Sequence, residues 1–222
     1  MRRRNLLVNT GGGGGTAEGH EYIEIGGVKW ATTNIGAEKP TDYGLYFQWG
    51  DTNGYPSSAC GANTVEYKKP FNWQDCVLHN GTTGSGATTF TKYNGNDGKT
   101  VLEPSDDAAT LNWGGDWRMP TTAEFQALGA ATTSAWTTVN GVYGLKVTDK
   151  TDSSKTLFFP AAGYCSSGSF SYGGSYGRYW SSSLYSSNVR YAYYMDFNSS
   201  GVGWQNYSSR YSGRSVRPVL GS

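Results

Sequence analysis

Few residues in this 222-residue chain could carry out chemistry. His20 and His79 are the two histidines, far apart and without a Ser or Cys motif beside either, so both read as loop residues. Cys60, Cys76 and Cys165 offer no CxxC and no metal-ligand spacing. Three reduced thiols is the favoured reading; a Cys60–Cys76 disulfide is the alternative for an oxidising compartment. Glu124 in "TTAEF" could serve as a general base, but Thr121 three residues before it makes a helix capping box. Asp106 and Asp107 stand where a helix N-terminus favours negative charge. "NGNDGK" (94–99) lacks the alternating carboxylates and closing Glu of a calcium loop and reads as a polar turn. The pentaglycine at 11–15 has no following Lys-Ser/Thr, so it is no phosphate loop. The expectation is a chain with no catalytic residue, no metal and no cofactor.

The residue types that stand out are those of a binding surface. "RYAYYMDFNSSGVGWQNYSSRYSGR" (190–214) contains Tyr, Ser, Gly, Asn and Arg but no Lys or Glu, and ten of the seventeen tyrosines lie between Tyr164 and Tyr211. Tyr and Trp supply large contact area with few torsions to freeze, while Ser, Gly and Asn adapt their hydrogen bonding. Arg adds stacking and bidentate contacts.

The elements that must position these residues are short. Residues 1–19 read as a flexible Gly-rich arm, followed by one domain over 20–222. "HEYIEI" and "VKWATTNIG" form an opening hairpin about Gly26-Gly27. Residues 51–100 read as a long irregular insertion. Two helices are expected: "PSDDAATLNWG", with Ser105 as N-cap and Gly114 as stop, and "PTTAEFQALGAA". From Val142 the period changes to two, through "VYGLKVT", "TLFFPAAGY", "YWSSS", "VRYAYYMDF", "VGWQNY" and "RSVRPV". In the fourth of these, Val189, Tyr191, Tyr193, Met195 and Phe197 share one face, with Arg190, Ala192, Tyr194 and Asp196 opposite. The predicted class is α+β, helices preceding a mostly antiparallel sheet. Trp113, Trp117, Phe125, Leu128, Phe158, Phe197 and Val216 are expected to form one core, and Arg118 to tie the second helix to the sheet.

A formal charge of +1 argues against nucleic acid as the partner. Arg2 to Arg4 form the only basic run. No stretch is long and apolar enough for a membrane-spanning helix, and no signal peptide is visible.

"VKWATTNIGAEKPTDYGLYFQWGD", "NWGGDWRMPTTAEFQAL", "FFPAAGY", "YWSSS" and "SVRPV" occur in order between Tyr22 and Val219. Together they resemble the paralogous C-type-lectin-fold domains of gut bacteria and their phages. "RMPTTAE" also resembles an element of the formylglycine-generating oxygenases. That chemistry needs a C-terminal cysteine pair, and no cysteine follows Cys165. The resemblance extends to the variable proteins of diversity-generating retroelements. It implies a C-type lectin fold and a rewritten segment over about 176–217. The fixed frame would be Tyr179 to Ser183, Phe197, Val202, Arg210, Gly213 and Ser215 to Val219. The hypervariable binding residues would be Tyr176, Arg178, Leu184, Asn188, Arg190, Tyr194, Asp196, Gly203, Trp204, Gln205, Asn206, Tyr207, Tyr211, Ser212 and Arg214. Arg178, Arg190, Tyr194, Asp196, Gln205, Asn206, Tyr207, Tyr211 and Arg214 are expected on one solvent-facing surface. Trp204 is expected there too, with a core seat as the alternative because it shares parity with Val202. The partner implied is a protein or glycan receptor on a bacterial surface, met by a virion-associated or cell-surface adhesin. A non-diversified structural or adhesive surface domain is the competing reading.

Overall fold

The computed structural model describes residues 13–61, 68–80 and 90–221. Strand residues far outnumber helical ones, 42% against 11%. They form several small antiparallel sheets, with two α-helices among the described residues. This overturns the α+β assignment: the chain is β-rich. One helix is only six residues long, and the Thr-rich run after the second helix is a full strand. Thr and Val there suit a pleated surface better than a helix.

One sheet joins the two ends of the domain. It takes strands β1 (Gly14–Ala17), β2 (His20–Ile25), β3 (Val28–Ala31), β13 (Val219–Leu220) and β4 (Trp117–Arg118), in that order. Residues 14–17, read from sequence as part of the arm, are thus a strand paired with β2. Residues 1–12, with the basic run, lie outside the described residues. Gly26 and Gly27 make the β2–β3 turn at φ 61° and 78°, where a side chain would be strained. Of "RSVRPV", only Val219 belongs to a strand, which Leu220 completes, with Val219 opposite Trp30 and Arg118.

Helix α1 (Ala108–Trp113) is capped by Asp107, not Ser105, which falls in a preceding 3₁₀ turn. The buried Asp107 carboxylate accepts the N–H groups of Ala109, Thr110 and Met119. Helix α2 (Thr122–Ala131) has the expected capping box of Thr121 and Glu124. Arg118 forks onto Glu124 at 2.8 and 2.6 Å and ties α2 to β4. His20, expected in a loop, lies on β2 and stacks on Trp113 at 3.6 Å.

After α2, strands β5 (Thr132–Val139), β6 (Val142–Asp149) and β7 (Thr156–Pro160) form a meander. A small hairpin, β8 (Tyr164–Ser166) and β9 (Ser169–Ser171), leads to β10 (Gly177–Leu184), β11 (Tyr191–Asn198) and β12 (Gly201–Ser209). These last three strands carry most of the candidate binding residues.

The apolar interior divides into clusters where one core was expected. Val216 joins Trp49, Trp180, Leu184, Ala192 and Tyr194 in the first. Phe125, Leu128 and Phe197 join Trp30, Tyr179 and Met195 in the second. Neighbours Tyr179 and Trp180 therefore enter different clusters, as do Tyr194 and Met195: the β10–β11–β12 sheet is covered on both sides. Alternation along β11 accordingly separates two cores, not core from water, and this buries Tyr194 against expectation. A third, smaller cluster holds Tyr46, Phe71 and Cys165. There Cys165 forms a disulfide with Cys60, and Cys76 is the free, buried thiol. This replaces both the Cys60–Cys76 pairing and the three-thiol reading.

Candidate functional site

A bulge in β12 sets the geometry of the face. Tyr194 is opposite Asn206 and Asp196 opposite Gly203, so β12 has one residue more than β11 between these pairs. Bulges of this kind re-aim side chains. Trp204 turns inward and packs half-buried against the second cluster. Its indole occupies the space a Cβ on Gly129 of α2 would need, with ring atoms 2.6 Å from that position. The parity it shares with Val202, and not surface display, fixes its seat. Gln205, Asn206 and Tyr207 that follow are the exposed run. Gln205 Oε1 accepts the Gln126 amide of α2 at 2.9 Å.

The contacts of the candidate residues fall into three groups, the first two linked by Arg190 over the Tyr191 ring at 5.9 Å. Tyr207 heads a cluster of tyrosines. Its ring stacks on Tyr185 at 4.2 Å, Tyr191 lies 5.6 Å away, and Tyr193 meets Tyr185 edge-on at 5.3 Å. Tyr185, Tyr191 and Tyr193 were not singled out from the sequence. The tyrosine density of the segment was the available signal, although alternation puts Tyr191 and Tyr193 on the same face as Met195 and Phe197.

A second group surrounds the turn before β11. Asn188 Oδ1 accepts the Arg190 N–H. The Arg190 guanidinium lies 5.6 Å from the Trp73 ring, which Tyr211 meets edge-on at 4.7 Å. Trp73 comes from the 68–80 loop, so the insertion contributes to this surface; nothing in its local sequence marks it.

The third group lies on the opposite side of the sheet from Trp204. Arg178 sits over the Tyr164 ring at 4.1 Å, near Tyr176 and Tyr194. Arg214 lies 4.0 Å from the Tyr194 ring and 4.5 Å from Trp180. Asp196, opposite Arg178 in register, has the Asn206 amide 3.5 Å from Oδ1.

Tyr194 and Arg214 are buried, which corrects the expectation that they face water, and the binding candidates Leu184 and Ser212 are buried as well. Leu184 belongs to the first cluster, and the Ser212 carbonyl accepts the Trp180 indole N–H at 3.3 Å. Both faces of the sheet are covered there, so position in the segment does not determine exposure. Tyr176, Arg178, Asn188, Arg190, Asp196, Gly203 and Tyr211 are half-buried.

The polar groups elsewhere are engaged structurally. In the 94–104 turn the Asp97 carboxylate accepts the Tyr93 and Lys99 N–H groups. Glu103 and Asp106 pair with Lys92, and Glu103 also with Lys99. Among the described residues no three His, Cys, Asp or Glu side chains converge as a metal site would require. A cleft of about 290 Å³ opens between the Trp136–Tyr143 stack and the 174–176 and 198–200 turns.

Residues 63–219, well over half of the chain, match the family model of the Lcl C-terminal domain, a C-type lectin-like family. No curated protein and no solved structure matches significantly.

Proposed function

The chain belongs to the Lcl C-terminal domain family, a C-type lectin-like type of binding or adhesin domain, and from that premise we propose that it is a receptor-binding adhesin whose ligand face is made by β10–β12 and the loops beside them. The observation that carries the reading is the contrast within one segment. Trp180, Phe197, Val216 and Arg217 are buried, while Gln205, Asn206 and Tyr207 between them are exposed. Residues of the second kind can change without disturbing the core, which is what a diversified face requires. Tyr, Ser, Asn and Arg are the residues such a face would use. We further propose that a diversity-generating retroelement rewrites this segment in a gut bacterium or phage. The partner would be a protein or glycan receptor on a bacterial cell, with no role for nucleic acid or membrane insertion. We assign the chain no catalytic role. The Cys60–Cys165 disulfide favours a location on a virion or cell surface, because such bonds persist in oxidising surroundings.

The test is a joint replacement of Arg190, Gln205, Asn206 and Tyr207 by Ala. Melting within about 2–4 °C of the parent is expected, together with loss of adhesion across a panel of gut bacteria that the parent binds. Retained adhesion, or an unfolded variant, would overturn the reading. A template repeat of these codons in the flanking DNA, differing only at adenines and beside a reverse transcriptase gene, would establish the retroelement; its absence would remove that part.

A further inference from the structure

The buried arginines of the C-terminal quarter are used in two ways. Arg217 gives Nε to Asn34 Oδ1 and its remaining nitrogens to the carbonyls of Ala31, Thr32 and Phe158. Arg210 bonds the carbonyls of Tyr93, Val189 and Lys92. These two hold loops in place. Arg214 is different. It is 1% exposed, yet neither Nε nor Nη1 has a hydrogen-bond partner, whereas Arg210 leaves only its Nε without one. Nε of the half-exposed Arg178 is also unpartnered. Tyr164 and Tyr194 flank both cations, at 4.1 and 6.0 Å from Arg178 and at 5.7 and 4.0 Å from Arg214.

Among the described residues neither arginine takes part in an ion pair. Asp196 stands opposite Arg178 across the strand pair without reaching it. Buried donors are normally satisfied, and a buried charge without a partner is costly. Burial pushes the Arg214 guanidinium down to about 10, and the neighbouring Arg178 charge acts in the same direction. It is still a cation at neutral pH. Two cations with free donors and a single carboxylate, Asp196, near them make an arrangement that an incoming anion would complete.

Resting on the ligand-binding reading above, we propose that Arg178 and Arg214, walled by Tyr164, Tyr176 and Tyr194, form a carboxylate-binding subsite that takes an Asp or Glu side chain of a protein ligand. Arg178 stands at the mouth and pairs with the carboxylate, while Arg214 behind it supplies the second positive charge. Two arginines against one aspartate leave a single positive charge to neutralise. That suits one carboxylate; a polyanionic glycan would need a basic surface, and the chain's formal charge is only +1. Aromatic rings cover the guanidinium faces and leave their edges for a planar acceptor. A tyrosine rim suits a protein side chain.

The probe is N-acetylglutamate, titrated while the arginine Nε–Hε resonances of Arg178 and Arg214 are followed, with N-acetylglutamine, glucuronate and sulfate as parallel arms. Saturable shifts are expected with N-acetylglutamate, at a Kd at least about tenfold below that of N-acetylglutamine. Arg178→Gln should weaken the response at least about tenfold while melting stays near the parent's. Arg214→Met should do the same where it folds, and Arg178→Gln decides the matter where it does not. Equal response to the amide, no saturable shift, or an unchanged Arg178→Gln variant would overturn the subsite. Tighter binding of glucuronate or sulfate would replace the protein carboxylate with an acidic glycan or an inorganic anion. The titration needs no receptor, so its failure is separable from failure of the adhesion test.

Discussion

Phe197 shows how closely the frame of the C-terminal sheet is fitted. Its ring is 1% exposed, lies parallel to Tyr179 at 6.0 Å and meets Trp136 edge-on at 6.3 Å. A Cβ on Gly177 would overlap that ring, so the glycine is there to admit it. Phe197→Ala should cost about 3–5 kcal/mol, measured by denaturant unfolding, because it opens a cavity inside the second cluster. A loss below about 1 kcal/mol would mean that this cluster does not depend on the strand. Gly129 makes a similar argument from the helix side. A glycine inside a helix is worse than alanine by about 1 kcal/mol, yet alanine here would collide with the Trp204 indole. Gly129→Ala is therefore expected to lose stability despite its better helix propensity, and to raise the solvent exposure of Trp204, seen as a red-shifted Trp emission. A more stable variant with unchanged emission would remove Trp204 from the second cluster.

At the scale of elements, α2 has the clearest pH signature. Burial raises the Glu124 carboxyl, but the Arg118 fork and the Thr121 N–H more than offset it, leaving it below its ordinary value. A depressed carboxylate contributes stability above its unfolded pKa, about 4.3 for Glu. That contribution is lost as pH falls through the lower folded value. Glu124→Gln should consequently flatten the acid limb of the stability profile. At neutral pH it should cost about 1 kcal/mol, mostly as a weakened cap, since the Arg118 side chain is 37% exposed and its ion pair is screened. An acid limb identical to the parent's would show that the fork does not operate. This element was legible beforehand, because a capping box is a local spacing rule and local rules survive folding. The α1 cap lies two residues beyond Ser105, at Asp107, whose carboxylate takes the N–H groups of Ala109 and Thr110 and also that of Met119, a partner beyond the helix that local spacing does not show. The sheet faces were misread for a larger reason. Period two tells which residues share a side, but not whether that side meets water, and here both sides meet protein. The exposure of Gln205 to Tyr207 agrees with what the resemblance implies, and the seat of Trp204 agrees with the alternative offered by its shared parity with Val202.

For the whole molecule, the long closures matter more than any single strand. The turn at 94–104 has its carboxylates held by lysines and backbone N–H groups, so chelation should leave the melting temperature unchanged within about 1–2 °C. A large drop would place a structural cation there. Reduction should act very differently. Cys60 and Cys165 are 105 residues apart in sequence, and their bond fixes the 57–61 turn against β8. Closing a loop of that length removes unfolded-state entropy worth about 4–5 kcal/mol in the chain-entropy model. Tyr164, the ring shared by Arg178 and Arg214, is the neighbour of Cys165, so the bond also anchors one wall of the arginine group. Reduction, or Cys60→Ser with Cys165→Ser, should lower melting by roughly 10 °C and weaken any ligand held at those arginines. Cys76 cannot substitute in the pairing: it is buried, and burial pushes its thiol up to about 12. Alkylation under unfolding, non-reducing conditions should therefore label Cys76 alone. Labelling of Cys165 instead would reinstate the Cys60–Cys76 bridge and release β8 from the 57–61 turn.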